Sequence, residues 1–166
     1  MEHPKDIGDR STLAIMAVLR ELGFGIYLPF GENTRSDIIL ERDGELARVQ
    51  CKTGRLREGA VRFAVCSTYG HHPKPKVVRR DYRGDVDYFA VYCPETAATY
   101  LIPIAALPLR RQAHLRVDPP RNNQRERVRF AADYEIGRVA IGIARDADLS
   151  TRGFPACASA MPDSGA

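Results

Sequence analysis

Residues 36–52, SDIILERDGELARVQCK, decide the fold because they have the pattern of a β-hairpin. An apolar strand from Asp37 to Glu41 is followed by Asp43-Gly44, a dipeptide that strongly favours a two-residue turn. The chain from Glu45 to Lys52 then returns as the second strand. The stretch therefore predicts a hairpin around which the rest of the chain is arranged.

Three polar side chains converge on this hairpin. Successive side chains point to opposite faces of a strand, so Gln50 and Lys52 share one face while Val49 and Cys51 point to the other. Strand pairing brings Asp37 near this amide and this amine. Carboxylates and amide carbonyls supply the oxygen ligands that Mg²⁺ prefers, and a neighbouring lysine neutralises a phosphate oxygen or helps to position and deprotonate a water. Together they would stabilise the charge that develops when a phosphodiester is attacked.

Each of these residues also has an ordinary structural explanation. Aspartate is common at strand edges as a surface turn residue, and a glutamine and a lysine at alternate positions are typical of a solvated strand face. The apolar run Ile38-Ile39-Leu40 indicates a buried strand instead. The three residues together, at hairpin geometry, are therefore more specific for a site than any one of them.

The segment before the hairpin predicts a largely buried helix that ends near Leu22, where Gly23 follows. Asp9 lies four and seven residues before Leu13 and Met16, on a stripe that we expect to face the protein. The residues alone leave two roles open for this carboxylate. Either it enters the site from the helix, or it caps the helix and contributes about 0.5–2 kcal/mol of stability.

At these residues the sequence resembles a known family. Asp37, followed by Gln50-Cys51-Lys52 on the next strand, is similar to the D…QxK variant of the PD-(D/E)XK nuclease core, found in group I intron homing endonucleases and, with glutamate for glutamine, in archaeal Holliday-junction resolvases. The resemblance runs roughly from Lys5 to Pro103. Ser36 replaces the proline of the motif's name, and the glutamine lowers the ligand charge. The matching segments are K-D-I-G-D-R-S-T, L-P-F-G-E-N-T-R-S-D, V-Q-C-K-T-G-R, G-D-V-D-Y-F-A-V-Y and Y-L-I-P-I.

The resemblance implies both a fold and a chemistry. We expect an α/β (α+β) domain over residues 1–145 with a restriction-endonuclease-like core, in which an N-terminal helix packs on a mixed central β-sheet. The activity would be Mg²⁺-dependent cleavage of double-stranded DNA, with Mn²⁺ as an alternative ion, by a homodimer or homotetramer. The expected catalytic residues are Asp37 as the central metal ligand, Gln50 as a second, Asp9 as a weaker or water-mediated one, and Lys52 as the phosphate or water partner.

Two other functions stay open at this point. A structure-selective nuclease, similar to the Holliday-junction resolvases, would favour branched DNA over a defined sequence. A catalytically silent DNA-binding module would keep the fold while the glutamine weakens metal binding.

Composition sets the remaining expectations. At 166 residues, with 44% hydrophobic and 28% charged residues, the chain is an ordinary globular protein large enough for one core. It has neither a run of eighteen apolar residues nor a basic leader followed by an apolar stretch, so we expect a cytoplasmic protein that does not enter a membrane. Residues 146–166 lack periodicity and predict a disordered tail. Without paired spacing, the cysteines are expected to be reduced structural thiols: Cys51, Cys66, Cys93 and Cys157.

The net charge of +4 is compatible with a polyanionic partner. Residues 53–59 and 68–83 are predicted to be basic loops, and their cations either contact phosphates or are ordinary solvated charges. Further strands are predicted over residues 61–67, 85–92, 99–104 and 138–143. The candidate nucleic-acid-binding residues are Arg35, Arg55, Arg57, Lys74, Lys76, Arg79 and Arg80.

Overall fold

A computed structural model describes residues 3–31, 34–70, 77–107, 111–119 and 128–139, and only the backbone of residues 68–70 and 77–79. Four of the sequence predictions lie outside the described residues. They are the nucleic-acid contacts of Lys74 and Lys76, the disordered tail over residues 146–166 and the structural role of the Cys157 thiol.

The described chain contains an N-terminal helix, ten strands and two short 3₁₀ helices, and residues 136–139 are also helical. The elements are α1 (Pro4–Glu21), β1 (Gly25–Tyr27), β2 (Ile38–Arg42), β3 (Glu45–Thr53), β4 (Arg55–Arg57), β5 (Ala60–Ala64), β6 (Cys66–Gly70), β7 (Val77–Asp81), β8 (Tyr88–Cys93), β9 (Ala98–Pro103) and β10 (Gln112–Arg116), with 3₁₀ helices at Ile104–Ala106 and Ala131–Tyr134.

Helix α1 has well-defined signals at both ends. The side chain of His3 caps its first turn, and Gly23 follows its last turn with a φ of 87°, a conformation that glycine adopts without steric cost. The N–H of Phe24 donates to the carbonyl of Leu19 at 3.1 Å, which closes the helix with the hydrogen bond of a Schellman motif. The helix therefore ends where the glycine predicted.

The hairpin is present as the sequence predicted it. Strands β2 and β3 are antiparallel, with Ile38 opposite Val49 and Arg42 opposite Glu45. Their turn residues, Asp43 and Gly44, both have positive φ, at 54° and 84°. Two positive φ values are the mark of a type I′ turn, whose twist matches that of the strands it joins.

The hairpin supplies two strands of a five-stranded sheet with the order β1-β2-β3-β8-β9. The β3–β8 pair is parallel and the other pairs are antiparallel, so the sheet is mixed. Strands β8 and β9 correspond, within a few residues at their ends, to the strands predicted over residues 85–92 and 99–104. The predicted fold class, an N-terminal helix on a mixed central sheet, is confirmed.

Each face of this sheet has its own hydrophobic cluster. Helix α1 covers one face, and the alternation predicted for β3 holds because both Val49 and Cys51 belong to the helix-side cluster. A second sheet, of order β10-β5-β4, packs over the opposite face. The fully buried large side chains of the two clusters include Ile15, Leu19, Phe24, Ile38, Leu40, Phe89, Leu101, Ile102 and Leu115.

The segment 53–59, predicted to be a basic loop, contains strand β4 instead. Glu58 and Gly59 have φ of 50° and 69° and form a two-residue turn into β5. Leu56 packs against the core between two arginines, so the segment alternates apolar and polar as a half-buried strand does. Three residues were too short a run for that alternation to be recognised in the sequence.

Three other predictions need correction. The strand predicted over residues 61–67 is two strands, β5 and β6, separated at Val65. Residues 68–83, predicted to be a loop, contain most of an antiparallel ribbon of β6 and β7, whose backbone pairing needs no apolar periodicity. The strand predicted over 138–143 is wrong at its described positions, because residues 136–139 are helical. Over the described ranges, no helix has both the length and the apolar composition that crossing a membrane requires.

Candidate active site

Asp37 stands where the pairing of β2 with β3 ends. Its own N–H donates to the carbonyl of Val49 at 2.9 Å, and the next N–H along that edge of β3, that of Cys51, donates to Asp37 Oδ2 at 2.7 Å. The amide Nε2 of Gln50 donates to the same oxygen. The carboxylate therefore replaces a backbone acceptor and is fixed against the strand that carries Gln50 and Lys52.

This arrangement leaves oxygen donors for a cation. Both hydrogen bonds to the Asp37 carboxylate end on Oδ2, and within the described chain none ends on Oδ1. Gln50 is 7% exposed, and a 180° rotation of its amide exchanges nitrogen for oxygen at nearly unchanged shape. One carboxylate and one amide thus fit a hard cation such as Mg²⁺. Among the described residues, no group of three His, Cys, Asp or Glu side chains could hold a metal ion, so this pair would be the protein's main contribution.

The electrostatics of Asp37 favour an added positive charge. Burial raises the pKa of this carboxyl above its usual value, against the opposing effects of the Cys51 N–H, the Lys52 charge and the Gln50 amide. A nearby cation favours the ionised form of a carboxyl group. The site therefore holds a carboxylate whose ionised form the protein alone compensates incompletely.

Lys52 lies on the same face as Gln50 and is partly exposed. Its Nζ donates to the hydroxyl of Tyr82 at 3.3 Å and lies 5.1 Å from the centre of that ring. Sequence reasoning missed Tyr82, which falls in the segment predicted to be a loop. Tyr82 lies thirty residues from Lys52 in the sequence, and no pattern of spacing predicts a contact over that separation.

Asp9 does not join the other three residues. Its side chain is exposed, and within the described chain no hydrogen bond or ion pair links it to Asp37, Gln50 or Lys52. The expectation that its stripe faces the protein holds at Met16, which packs against the helix-side cluster, and fails at Leu13, which is 63% exposed. The capping alternative is wrong, because His3 caps α1. A water-mediated role for Asp9 stays a prediction.

Ser11 is the residue of α1 that contacts the strand of the site. It is buried, and its Oγ lies 2.7 Å from Oγ1 of Thr53, the residue that follows Lys52. Ser11 also donates to the carbonyl of Ile7 within the helix. This serine–threonine contact fixes the first half of the helix against the end of β3.

Arg35 has a different environment from the one predicted. Its side chain is 14% exposed, and its three guanidinium nitrogens donate to Asp85 Oδ2, Ser67 Oγ and the carbonyl of Asp81. The guanidinium also lies over the ring of Tyr82, 4.0 Å from its centre. A cation held in this way has few directions left for a phosphate, so we assign Arg35 to the support of the site.

Three of the remaining basic candidates, Arg55, Arg57 and Arg80, lie at least partly at the surface. Arg57 is exposed, Arg55 forms an ion pair with Glu95 at 3.6 Å, and Arg80 is 60% exposed and lies 3.3 Å from Asp85. Exposed ion pairs of this kind contribute little and can exchange for a phosphate. Only the backbone of Arg79 is described, in β7. Their contacts with nucleic acid stay predictions.

Asp87 supports the sheet beside the first paired residues of β3 and β8. Its carboxylate accepts from the backbone N–H of Arg48 at 2.8 Å and forms an ion pair with the Arg48 guanidinium at 3.0 Å. The N–H of Asp87 donates to the carbonyl of Arg48 at 2.9 Å. These bonds extend the junction of β3 and β8 by one residue. Asp87 therefore contributes to strand register and has no direct part in the cluster around Asp37.

A helix on a mixed sheet, with an acid, an amide and an amine gathered at one hairpin, has the architecture of a nuclease core. The family model for PD-(D/E)XK endonucleases matches residues 2–137, and the chain belongs to this family of nucleases. The fold is similar to that of I-Ssp6803I, a bacterial homing endonuclease, with a TM-score of 0.71 and 20% identity over 92% of this chain and 100% of that one.

Hjc, a Holliday junction resolvase of the archaeal hyperthermophile Archaeoglobus fulgidus, is similar at a TM-score of 0.46 and 15% identity, over 80% of this chain and 94% of that one. No curated protein matches the sequence. The family model and the similarity to I-Ssp6803I confirm the predicted family and fold.

Proposed function

We propose that this protein is a divalent-metal-dependent DNA endonuclease that hydrolyses phosphodiester bonds, of the homing-endonuclease type. The observation that carries the proposal is the meeting of Asp37, Gln50 and Lys52 at one end of β3, in a chain that belongs to a nuclease family. Partial exposure of Asp37 and Lys52 gives a phosphate access to the cluster.

In this proposal each residue has a distinct task. Asp37 and the Gln50 amide oxygen would hold Mg²⁺ or Mn²⁺, with Asp9 in a weaker, water-mediated role. A bound divalent ion supplies positive charge to the phosphate and lowers the pKa of a water molecule. Lys52 neutralises a phosphate oxygen or positions the attacking water, and Oδ2 of Asp37 stays tied to Cys51 so that Oδ1 keeps its direction.

Double-stranded DNA is the proposed partner. The net charge of +4 and the surface cations Arg55, Arg57 and Arg80 support phosphate contact. The sequence adds Lys74, Lys76 and Arg79 as candidate contacts. Such binding weakens steeply with salt because each phosphate contact releases counterions. We propose a homodimer or homotetramer, because cutting both strands of a duplex calls for paired sites.

Supercoiled plasmid incubated with Mg²⁺ or Mn²⁺ tests the proposal. The wild-type protein should nick or linearise the plasmid, and Asp37→Asn and Lys52→Ala should each reduce the rate about 100-fold or more. Asp43→Asn removes an exposed carboxylate from the hairpin turn and Lys5→Ala removes an exposed lysine from α1, so both controls should cleave normally. Cleavage that survives Asp37→Asn would contradict the assigned site.

A silent DNA-binding module is the second candidate. It is favoured by one observation: Gln50 occupies the position where the family more often has an acid, which leaves Asp37 as the carboxylate of the cluster. Duplex binding without nicking in either metal would support this module. If cleavage occurs, four-way junctions cut in preference to linear duplex would instead support a resolvase type.

A further inference from the structure

We infer that Tyr82 is the residue that positions Lys52 for reaction, and that Arg35 and Asp85 hold Tyr82 in place. This inference rests on the proposed function, because it concerns the task given there to Lys52. Tyr82 lies in none of the segments that the sequence marked as the site.

The ring of Tyr82 is held on several sides. It is 4% exposed and meets the ring of Phe89 edge to face, with 5.3 Å between centres and 85° between planes. The Arg35 guanidinium stacks on the ring at 4.0 Å. The N–H groups of Asp85 and Val86 donate to the Tyr82 carbonyl at 3.0 and 3.1 Å, which fixes the backbone as well. The hydroxyl therefore has a set position.

Asp85 completes the support from the surface side. Its Oδ2 accepts from Arg35 Nε at 2.9 Å, and this hydrogen bond lowers the pKa of the Asp85 carboxyl. Arg35 in turn donates to Ser67 Oγ at 2.7 Å, which ties it to the β6–β7 ribbon. The guanidinium is thereby held over the tyrosine ring instead of pointing to solvent.

A phenol is well suited to hold a lysine that must act on a phosphate. Lys52 has four rotatable bonds, so ordering its ammonium costs entropy at each turnover unless a partner has already restricted it. The Tyr82 oxygen restricts it without cancelling its charge, and it takes one of the three N–H donors. Within the described chain no carboxylate lies within ion-pair distance of Lys52 Nζ, so two of its donors remain for the phosphate.

The test is Tyr82→Phe, which keeps the ring and removes the hydroxyl. Single-turnover cleavage of saturating duplex should fall by about tenfold, a loss comparable to one hydrogen bond to a charged group, while the Kd for DNA in Ca²⁺ stays unchanged. The matched control is Tyr100→Phe, a tyrosine 3% exposed in the same hydrophobic cluster, which should cleave at the wild-type rate.

Tyr82→Phe in a Lys52→Arg background separates positioning from structure. If Tyr82 acts through Lys52, the second change should add little to the first. Equal losses in both backgrounds, a wild-type rate for Tyr82→Phe, or matching losses of rate and DNA affinity in Tyr82→Phe and Tyr100→Phe would each overturn the inference.

Should Tyr82→Phe fail to fold, Asp85→Asn, at a surface position, should lower the rate several-fold by releasing Arg35, and a wild-type rate would overturn the inference. The proposed function fails in a different way. In that case neither Asp37→Asn nor Lys52→Ala differs from wild type, whatever Tyr82→Phe does.

Discussion

The backbone N–H of Cys51 donates to Asp37 Oδ2 at 2.7 Å, so the proposed metal ligand also completes the hydrogen bonding of the strand that carries the other two site residues. Asp37 is therefore bound to β3 before any ligand arrives. A carboxylate that is part of the strand edge cannot swing away, which keeps the distance between the acid, the amide and the amine nearly constant.

The burial of the Asp37 carboxylate lowers the stability of the folded protein, and this effect can be measured. Because burial raises the pKa of Asp37, its ionised form is less favourable in the folded than in the unfolded protein. Below about pH 3.8 the carboxyl is protonated in both states and does not change the stability. The loss of stability appears as pH rises through the folded pKa. In EDTA at pH 7, Asp37→Asn should therefore raise the Tm by about 1–3 °C.

Calorimetry at pH 7 and near pH 3 checks this prediction, with Asp43→Asn as the control for a carboxylate in the exposed turn. The gain of Asp37→Asn should disappear at low pH. A variant that is less stable than wild type at pH 7 would contradict the interpretation, because asparagine Oδ1 can still accept from Cys51.

Gln50→Glu should lower the stability of the metal-free protein and raise its affinity for the metal. In EDTA it replaces a hydrogen bond to Asp37 by a pair of like charges. The free energy of unfolding should therefore fall by roughly 1–3 kcal/mol, and the Tm by several degrees. In Mn²⁺ the second carboxylate becomes a ligand. At ten times its Kd the ion adds about 1.4 kcal/mol, so the Tm of this variant should rise by more than that of wild type.

The control for this charge change is Gln112→Glu, at an exposed position in β10. Its Tm should respond to EDTA and Mn²⁺ as wild type does. An identical response of Gln50→Glu and Gln112→Glu would remove Gln50 from the ligand set.

The thiol of Cys51 should be unreactive despite its place beside the site. Its side chain is buried on the helix side of the sheet, and burial raises its pKa to about 12, with the Asp37 charge adding to the effect. Iodoacetamide labelling at pH 8, followed by peptide mass spectrometry, should modify the partly exposed Cys66 well before Cys51, which should react only after unfolding. Early labelling of Cys51 would show that the end of β3 opens.

Gly54 should tolerate no side chain. A Cβ there would lie 2.5 Å from Val61 Cγ1 and 3.0 Å from Val91 Cγ1, where the chain passes from the central sheet to the small sheet. Gly54→Ala should cost roughly 1–3 kcal/mol of unfolding free energy, with a lower cleavage rate because Lys52 lies two residues away. Denaturant unfolding measures this cost. Gly8→Ala, where a Cβ meets nothing within 4 Å, is the control and should be neutral or stabilising.

The features that could be predicted from the sequence are those set by interactions between residues close together in the chain. The hairpin followed from Asp43-Gly44 and from the alternation around Gln50, because turn chemistry and side-chain alternation act between neighbouring residues. Tyr82 was missed because what fixes it is contact with distant residues. Arg35, like any arginine in a loop, gave no sign that three protein acceptors would surround it.

Asp9 shows a different limit. Its spacing from Leu13 and Met16 was correct for one helix face, but helical spacing does not say how far that face is turned toward the sheet, and only Met16 packs against the helix-side cluster. The small side chain of Ser11 fits closely against Thr53. The face of α1 that carries Ser11, Ile15 and Leu19 is therefore the one that is buried.

The most direct measurement of the central claim is a Mn²⁺ soak of crystals of the wild-type protein, with anomalous diffraction data. We expect one anomalous peak within coordination distance of Asp37 Oδ1, with the Gln50 amide oxygen turned toward it, and no peak in crystals of Asp37→Asn. Wild-type crystals without a peak at Asp37, grown from protein that cleaves DNA in Mn²⁺, would contradict the account.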